Sequence, residues 1–264
     1  MRVNWEEAAA QLSGGPTEAQ ILDAVALSPG KSAPSPSHAN PVPLVCSDGK
    51  TYWVKARAQD GLSAELIAGR LASRIEIGPA ARIIRVSEHV IPQASRPDKF
   101  QGILVGVEDQ PGTVNNKDIQ AVLGVGQLKP DLISAADRAR VIAFQTWLGM
   151  QDSQVLVELT TGRIHSIDHG CWASLGASGT LQDPAIVLTD VPGIDISVGR
   201  DLTHVQDAVA RIEALADADI LLALTHIPKE QEWHSTPDRL KAIGRWLAYR
   251  RDRVREVMET WARK

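Results

Sequence analysis

The chain has 264 residues, is 44% hydrophobic and 23% charged, and carries a formal net charge of −4. That is enough for one large domain, or one domain with two lobes, around an apolar core, and the charge excludes a general attraction to nucleic acid. Cys46 and Cys171 lie too far apart in sequence for a metal spacing and make no disulfide framework. The chain does not open on a basic region followed by an apolar run, and no apolar run approaches a membrane span, so a cytoplasmic protein is expected.

Residues 3–27 are expected to contain a helix, with Thr17, Glu18, Ala19 and Gln20 as its start before Ile21, Leu22 and Val25. Residues 28–43 hold five prolines and four serines without apolar rhythm, and so read as a loop. Gly30, Lys31 and Ser32 in this stretch are not a Walker A loop: position 25, where its first glycine belongs, is Val, and the prolines forbid the helix that should follow.

Val42–Cys46 and residues 51–57 flank Ser47, Asp48, Gly49 and Lys50, a strong hairpin signal. In the second strand Tyr52, Val54 and Ala56 share one face, and Trp53, Lys55 and Arg57 the other. On a buried sheet Lys55 would need a charged or phosphate partner; on an exposed one it would be a solvated lysine. Residues 63–75 follow as a helix with Ser63 as N-cap. Its Glu65 suits the helix dipole in the first turn or an ion pair with Lys55. Residues 82–86 and 102–107 read as further strands, which points to a small, mostly antiparallel lobe of strands around one helix. A lobe boundary is placed near residues 107–112.

Residues 134–148 form a well-marked helix, with Ser134 as N-cap, Asp137 in the capping-box position and Gly149 as the stop. Its stripe of Val141, Phe144, Trp147 and Leu148 is core. A β-hairpin follows, with strands over residues 155–159 and 163–167 and a turn at Thr160, Thr161 and Gly162. Travel of roughly 3.3 Å per residue out along one strand is cancelled on the way back, so Asp152 and Asp168 are expected close together. Two carboxylates at one hairpin mouth suit a divalent metal with a phosphorylated ligand, or a base beside a metal; loop aspartates are equally common without any such role.

After a loop over residues 171–200, three helices are expected over residues 203–215, 217–226 and 236–261. The stretch from Thr236 to Lys264 carries nine Lys or Arg against four Asp or Glu. This basic end could dock an acidic partner or an acidic face of its own domain, or it could be the solvated side of a helix. His165, His169, His204, His226 and His234 show no metal-ligand spacing, and no Ser or Cys sits in a nucleophile elbow.

The order strand Lys, helix Glu, strand, helix, loop Asp, hairpin, Asp-x-Gly resembles a protein-kinase-like fold. It is most similar to the short HipA-like kinases, themselves related to the phosphatidylinositol kinases. The matching text is SDGKTYWVKA (47–56), AELIAGRLA (64–72), FQTWLGMQD (144–152), GRIHSIDHG (162–170) and LAYRRDRV (247–254), within a likeness that covers roughly residues 20–260. The resemblance implies an α+β, two-lobed protein-kinase-like fold: a helical segment over 1–27, a small antiparallel β-rich lobe over 28–109, and a mainly helical lobe over 110–264 with a catalytic-loop hairpin over 152–168.

It also implies an ATP- and Mg2+-dependent phosphotransferase, a Ser/Thr kinase or autokinase with an unknown protein substrate or regulator. Lys55 would grip the ATP phosphates, Glu65 would be its helix partner, and the backbone from Val105 to Val107 would be the hinge that meets adenine. Asp152 would be the catalytic base and Asp168 the magnesium ligand. The chain departs from the pattern at several places. Ser153 and Gln154 replace Arg-His after the loop Asp. The metal-binding Asn falls at Val157, for which Gln154 or Glu158 could substitute. His169 stands for the Phe of Asp-Phe-Gly, and the phosphate loop, expected near residues 30–38, is dense in proline. A pseudokinase that binds nucleotide or a partner is therefore an alternative, as is a kinase of small molecules or lipid headgroups.

Overall fold

The computed structural model describes residues 2–30, 41–56, 61–91, 97–115, 133–150, 154–170, 172, 181 and 200–264. After a short helix α1 (Ala9–Leu12), five strands close into a barrel: β1 (Ile21–Leu27), β2 (Val42–Cys46), β3 (Thr51–Val54), β4 (Ala81–Val86) and β5 (Gly102–Glu108), in the order β1-β2-β3-β5-β4. Every pairing is antiparallel except β1 with β4. The turn between β2 and β3 uses Gly49 at φ 79°, as the Asp-Gly signal predicts.

Residues 3–27 do contain a helix, α1, but the start expected at Thr17–Gln20 does not lead into one. Thr17 and Gln20 do box together, with Thr17 N donating to Gln20 Oε1 at 2.9 Å, but they cap a single 3-10 turn, Glu18–Gln20. The residues beyond it are β1. Ile21, Leu22 and Val25 fit a helical spacing locally, yet Ile21 pairs with Ile83 on β4 and Leu27 with Leu44 on β2. Two waiting strand edges outweigh a weak local preference. β1 is also what closes the sheet, so the expected small antiparallel lobe is a closed barrel with one parallel pair.

The barrel interior is packed by Leu44, Tyr52, Val54, Ile84 and Leu104. Its outer face carries Ile83 and Val105 into a larger core shared with α2 (Leu62–Arg74). Tyr52 and Val54 point inward and Lys55 outward, the alternation expected of β3. The helix α2 begins one residue earlier than expected, and Gly61, not Ser63, is its N-cap.

Beyond the barrel a three-stranded sheet, order β6-β7-β8, is built from β6 (Thr113–Asn115), β7 (Gln154–Glu158) and β8 (Ile164–Ile167). The hairpin β7–β8 forms with strands slightly displaced from the expected 155–159 and 163–167, Gln154 opposite Ile167, and turns through Gly162 at φ 71°. The helix α3 (Ala135–Leu148) is capped as read: Ser134 Oγ accepts from Asp137 N at 3.1 Å, and Gly149 ends it at φ 62°.

The remaining helices are α4 (Leu202–Glu213), α5 (Asp217–Leu224), α6 (Pro237–Arg251) and α7 (Val254–Ala262). The single last helix expected over 236–261 is two. The chain breaks at Asp252 and Arg253, which lets α6 pack on α1 and α5 while α7 turns onto α4. Arg251 is pinned at the break, 2.8 Å from Asp217 and 2.9 Å from Asp252. The basic end has much of its acidic counterpart within the same chain: Lys241 and Arg245 meet Glu6, and Arg255 meets Glu213 and Glu259. Among the described residues no helix is long and apolar enough to cross a membrane.

The chain has seven tryptophans against two phenylalanines and two tyrosines, and three of the indoles have a structural use. Trp147 Nε1 donates to Leu247 O at 3.0 Å, Trp172 Nε1 to Ala64 O at 3.0 Å and Trp233 Nε1 to Ile103 O at 3.1 Å. Each buried indole fills core volume and ties two segments distant in sequence.

Candidate functional site

The site forms where β3, the start of α2 and the end of β8 meet. Lys55 follows β3 directly, and its N–H donates to Val105 O at 3.1 Å, which fixes the side chain toward α2. The start of α2 is set by Gly61, at φ 105°. A Cβ at Gly61 would lie 2.2 Å from Gly170 O, so the glycine lets the helix N-terminus rest directly on the Asp168, His169, Gly170 segment. Trp172 Nε1, bonded to Ala64 O, holds the same contact from the other side. Ser166 N donates to Ile77 O at 2.8 Å, tying β8 to the loop after α2.

These constraints bring three charges together. Lys55 Nζ lies 2.5 Å from Glu65 Oε2 and 2.5 Å from Asp168 Oδ1. The Glu65 side chain is 0% exposed, that of Lys55 11% and that of Asp168 29%, so the pair with Glu65 is interior and Asp168 is the end that opens to solvent. Burial pushes the Lys55 ammonium pKa down, but the Glu65 and Asp168 carboxylates outweigh it and the net shift is upward. Burial pushes the Glu65 carboxyl up, but Lys55 and His169 outweigh it and hold it below the usual carboxylate range. Glu65 lies in the first turn of α2 and forms the ion pair with Lys55, so both readings of it hold.

Asp168 adopts φ 57°, unusual for a residue with a side chain. The His169 ring stands edge-on to Phe144, centroids 5.7 Å apart. Its Nε2 is 2.9 Å from Ser166 Oγ, and its Nδ1 is 3.7 Å from Glu65 Oε1.

Gln154 Nε2 donates to Asp168 Oδ2 at 2.5 Å, and Asn115 Nδ2 donates to Gln154 Oε1 at 3.2 Å. Glu158 cannot take the same place. It lies at the turn end of the hairpin, bonded to Thr161. Val157 is fully buried in the core. Asn115 carries no signal in the sequence, because a three-residue strand without alternation is not legible there.

Arg250 braces the end of α3. Its Nε donates to Trp147 O at 2.6 Å and its Nη2 to Thr146 O, and its guanidinium lies 4.5 Å from the centroid of the Trp246 ring. A buried cation on the last carbonyls of a helix satisfies groups that have no partner within it. This end of α3 leads directly into the segment that carries Asp152.

Val105 and Val107, the residues expected at an adenine hinge, lie within β5. Val105 O accepts from Lys55 N, and Val107 pairs with Trp53 across β3 and Ala81 across β4. Their backbone positions belong to the barrel ladder. The connection from the barrel to β6 is residues 109–112. Asp152 and residues 31–40, which include most of the expected phosphate loop, lie outside the described residues, as does Cys171.

No protein-family model matches the chain, and no curated protein matches it by sequence. Solved structures do. The chain is similar to the Helicobacter pylori proinflammatory kinase CtkA, with a TM-score of 0.56 and 15% identity over 90% of this chain and 95% of that one. It is also similar to a Golgi casein kinase with Mn/ADP bound, with a TM-score of 0.47 and 10% identity over 97% of this chain and 75% of that one. The first likeness shows that the fold is kinase-like.

Proposed function

We propose that this protein is an ATP- and Mg2+-dependent phosphotransferase of the HipA-like group, acting on a Ser or Thr hydroxyl of a protein or of itself. The observation that carries the reading is Lys55 Nζ held between the Glu65 and Asp168 carboxylates, three residues from three separate elements around one partly open point. In this reading the barrel with α2 is the smaller lobe, the second sheet with the helices is the larger one, and residues 109–112 replace the hinge first expected at Val105 and Val107.

The donor set suits the groups the reaction needs. Asp168 offers a carboxylate at the solvent-facing end of the cluster, which suits a hard divalent cation, and the Lys55 ammonium beside it suits phosphate oxygens. A bound magnesium ion would neutralise charge on the transferring phosphates. Glu65 keeps Lys55 charged and pointed at Asp168. Gln154, itself held by Asn115, fixes the orientation of the Asp168 carboxylate. Asp152 lies two residues before Gln154 in the chain and is the proposed base, accepting the proton of the attacking hydroxyl.

A second reading is a pseudokinase that binds nucleotide or a partner without turnover. It is favoured by Val157, buried at the position where the family has its metal-binding Asn. Purified protein incubated with Mg2+ and γ-labelled ATP tests both. Asp168→Ala should abolish metal-dependent nucleotide binding, and Asp152→Ala should preserve binding while removing turnover. Binding without turnover in the parent would select the pseudokinase; turnover of ATP at the parent rate by both variants would overturn the assignment.

A further inference from the structure

Behind α2, on the side away from Glu65, a cavity of about 480 Å³ lies between β1, β4, α2 and α5. Its volume falls in the range of small-molecule sites. Leu22, Leu71 and Ile83 form apolar wall, and Leu222, 66% exposed, stands at its rim. Five charged groups line it: Arg70, Arg74, Arg82, Asp48 and Asp219.

Three of these five are spoken for. Arg74 pairs with Asp219 at 2.9 Å. Asp48 accepts from Tyr52 Oη at 2.8 Å and from Lys50 N at 3.0 Å. Arg70 donates through Nη1 to Ala223 O and Thr225 O, capping the end of α5. Among the described residues neither Arg70 nor Arg82 forms an ion pair. Burial, with the neighbouring Arg82 charge, pulls the Arg70 guanidinium down to about 10, the direction expected of a cation without an anion beside it.

We propose that this cavity binds a small amphipathic anion, its acidic head group held by Arg70 and Arg82 and its apolar body resting against Leu22, Leu71 and Leu222. The lining sets an apolar wall beside convergent polar groups, the combination that fixes an amphipathic ligand, and a guanidinium offers a planar fork to carboxylate and phosphate alike. The site stands on its own residues and does not depend on whether the chain transfers phosphoryl groups.

Calorimetric titration of the full chain with benzoate, phenyl phosphate and neutral benzyl alcohol tests it, each repeated in the presence of saturating Mg2+ and ATP to set aside the Lys55 site. One anion per chain should bind in the presence of nucleotide, benzyl alcohol should not, and the stronger of the two anions identifies the head group as carboxylate or phosphate. Arg82→Gln should weaken binding at least about tenfold, the worth of a hydrogen bond to a charged group. Leu222→Glu should do the same through a like charge at the rim. Both positions are exposed, so the unliganded unfolding midpoint should not move, and Leu222→Glu decides if Arg82→Gln does not fold. No binding of either anion, equal binding of the alcohol, indifference to both variants, or binding of acidic peptides alone would overturn the proposal.

Discussion

Replacing Lys55 with Met keeps the side-chain length and removes the charge. The Glu65 carboxylate, with 0% of its side chain exposed, then loses the partner at 2.5 Å that compensates its burial. Breaking a buried pair in this way costs about 3–5 kcal/mol. At about 2–4 °C of melting temperature per kcal/mol for a chain of this size, Lys55→Met should melt roughly 6–20 °C below the parent.

The pH dependence follows from the directions of the shifts. In the parent, Glu65 titrates below its unfolded value, so its contribution is present above pH of about 4.3 and is lost as pH falls through the lower folded value. Lys55 titrates above its unfolded value, so its contribution is present below pH of about 10.4 and is lost as pH rises through the higher folded value. Near neutral pH both are fully expressed. In Lys55→Met, burial acts on Glu65 without the lysine, its folded pKa rises, and protonation relieves the cost as the solution is acidified. The stability gap to the parent should therefore be widest near pH 8 and narrow toward pH 5. Lys55→Met with Glu65→Leu should recover most of the loss, because an apolar pair carries no desolvation cost. Urea midpoints of the three proteins at both pH values measure this. A gap under about 1 kcal/mol at pH 8, the worth of an exposed ion pair, or a gap that does not change toward pH 5, would refute the reasoning.

Two further substitutions test the frame around the site. Gly61→Ala places a Cβ 2.2 Å from Gly170 O at a φ of 105°; backbone strain of about 1–2 kcal/mol and overpacking of about 1–3 kcal/mol should lower stability and loosen α2 from the Asp168 segment. Protection of α2 amides from hydrogen exchange reads this directly, and unchanged protection would argue against the contact. Arg250→Met leaves the carbonyls of Thr146 and Trp147 without their charged donor. A loss of about 3 kcal/mol is expected in thermal unfolding from two such bonds, whereas Arg253→Met, whose guanidinium lies over the Tyr249 ring at the surface, should cost under about 1 kcal/mol. Equal losses from the two would refute a capping role for Arg250.

Several features are legible in the sequence because their causes are local. The Asp48-Gly49 turn, the Ser134 and Gly149 caps of α3 and the β7–β8 hairpin each follow from residues within a few positions of one another. Alternation along β3 likewise separates Lys55 from the apolar face of its strand. The residue types of Lys55, Glu65 and Asp168, with their order, suffice to single them out. Their meeting at 2.5 Å is different in kind, since it depends on Gly61 resting against Gly170 and on Trp172 reaching Ala64, contacts across 108 or more positions.

The same distinction explains the misreadings. Residues 21–27 have a locally helical spacing but become a strand because β2 and β4 offer edges on both sides, and no local window contains that information. Glu158 and Gln154 are equally plausible substitutes for a missing Asn by spacing; only hairpin register decides that Gln154 faces Asp168 while Glu158 sits at the turn. Residues 105–107 match a hinge by resemblance alone, and only the folded barrel shows them laddered between β3 and β4. The break between α6 and α7 follows from where Asp217 waits to pair with Arg251. Sequence fixes conformational preferences worth about 1 kcal/mol or less per residue, and the partners that override them are brought into range only when the whole chain has folded.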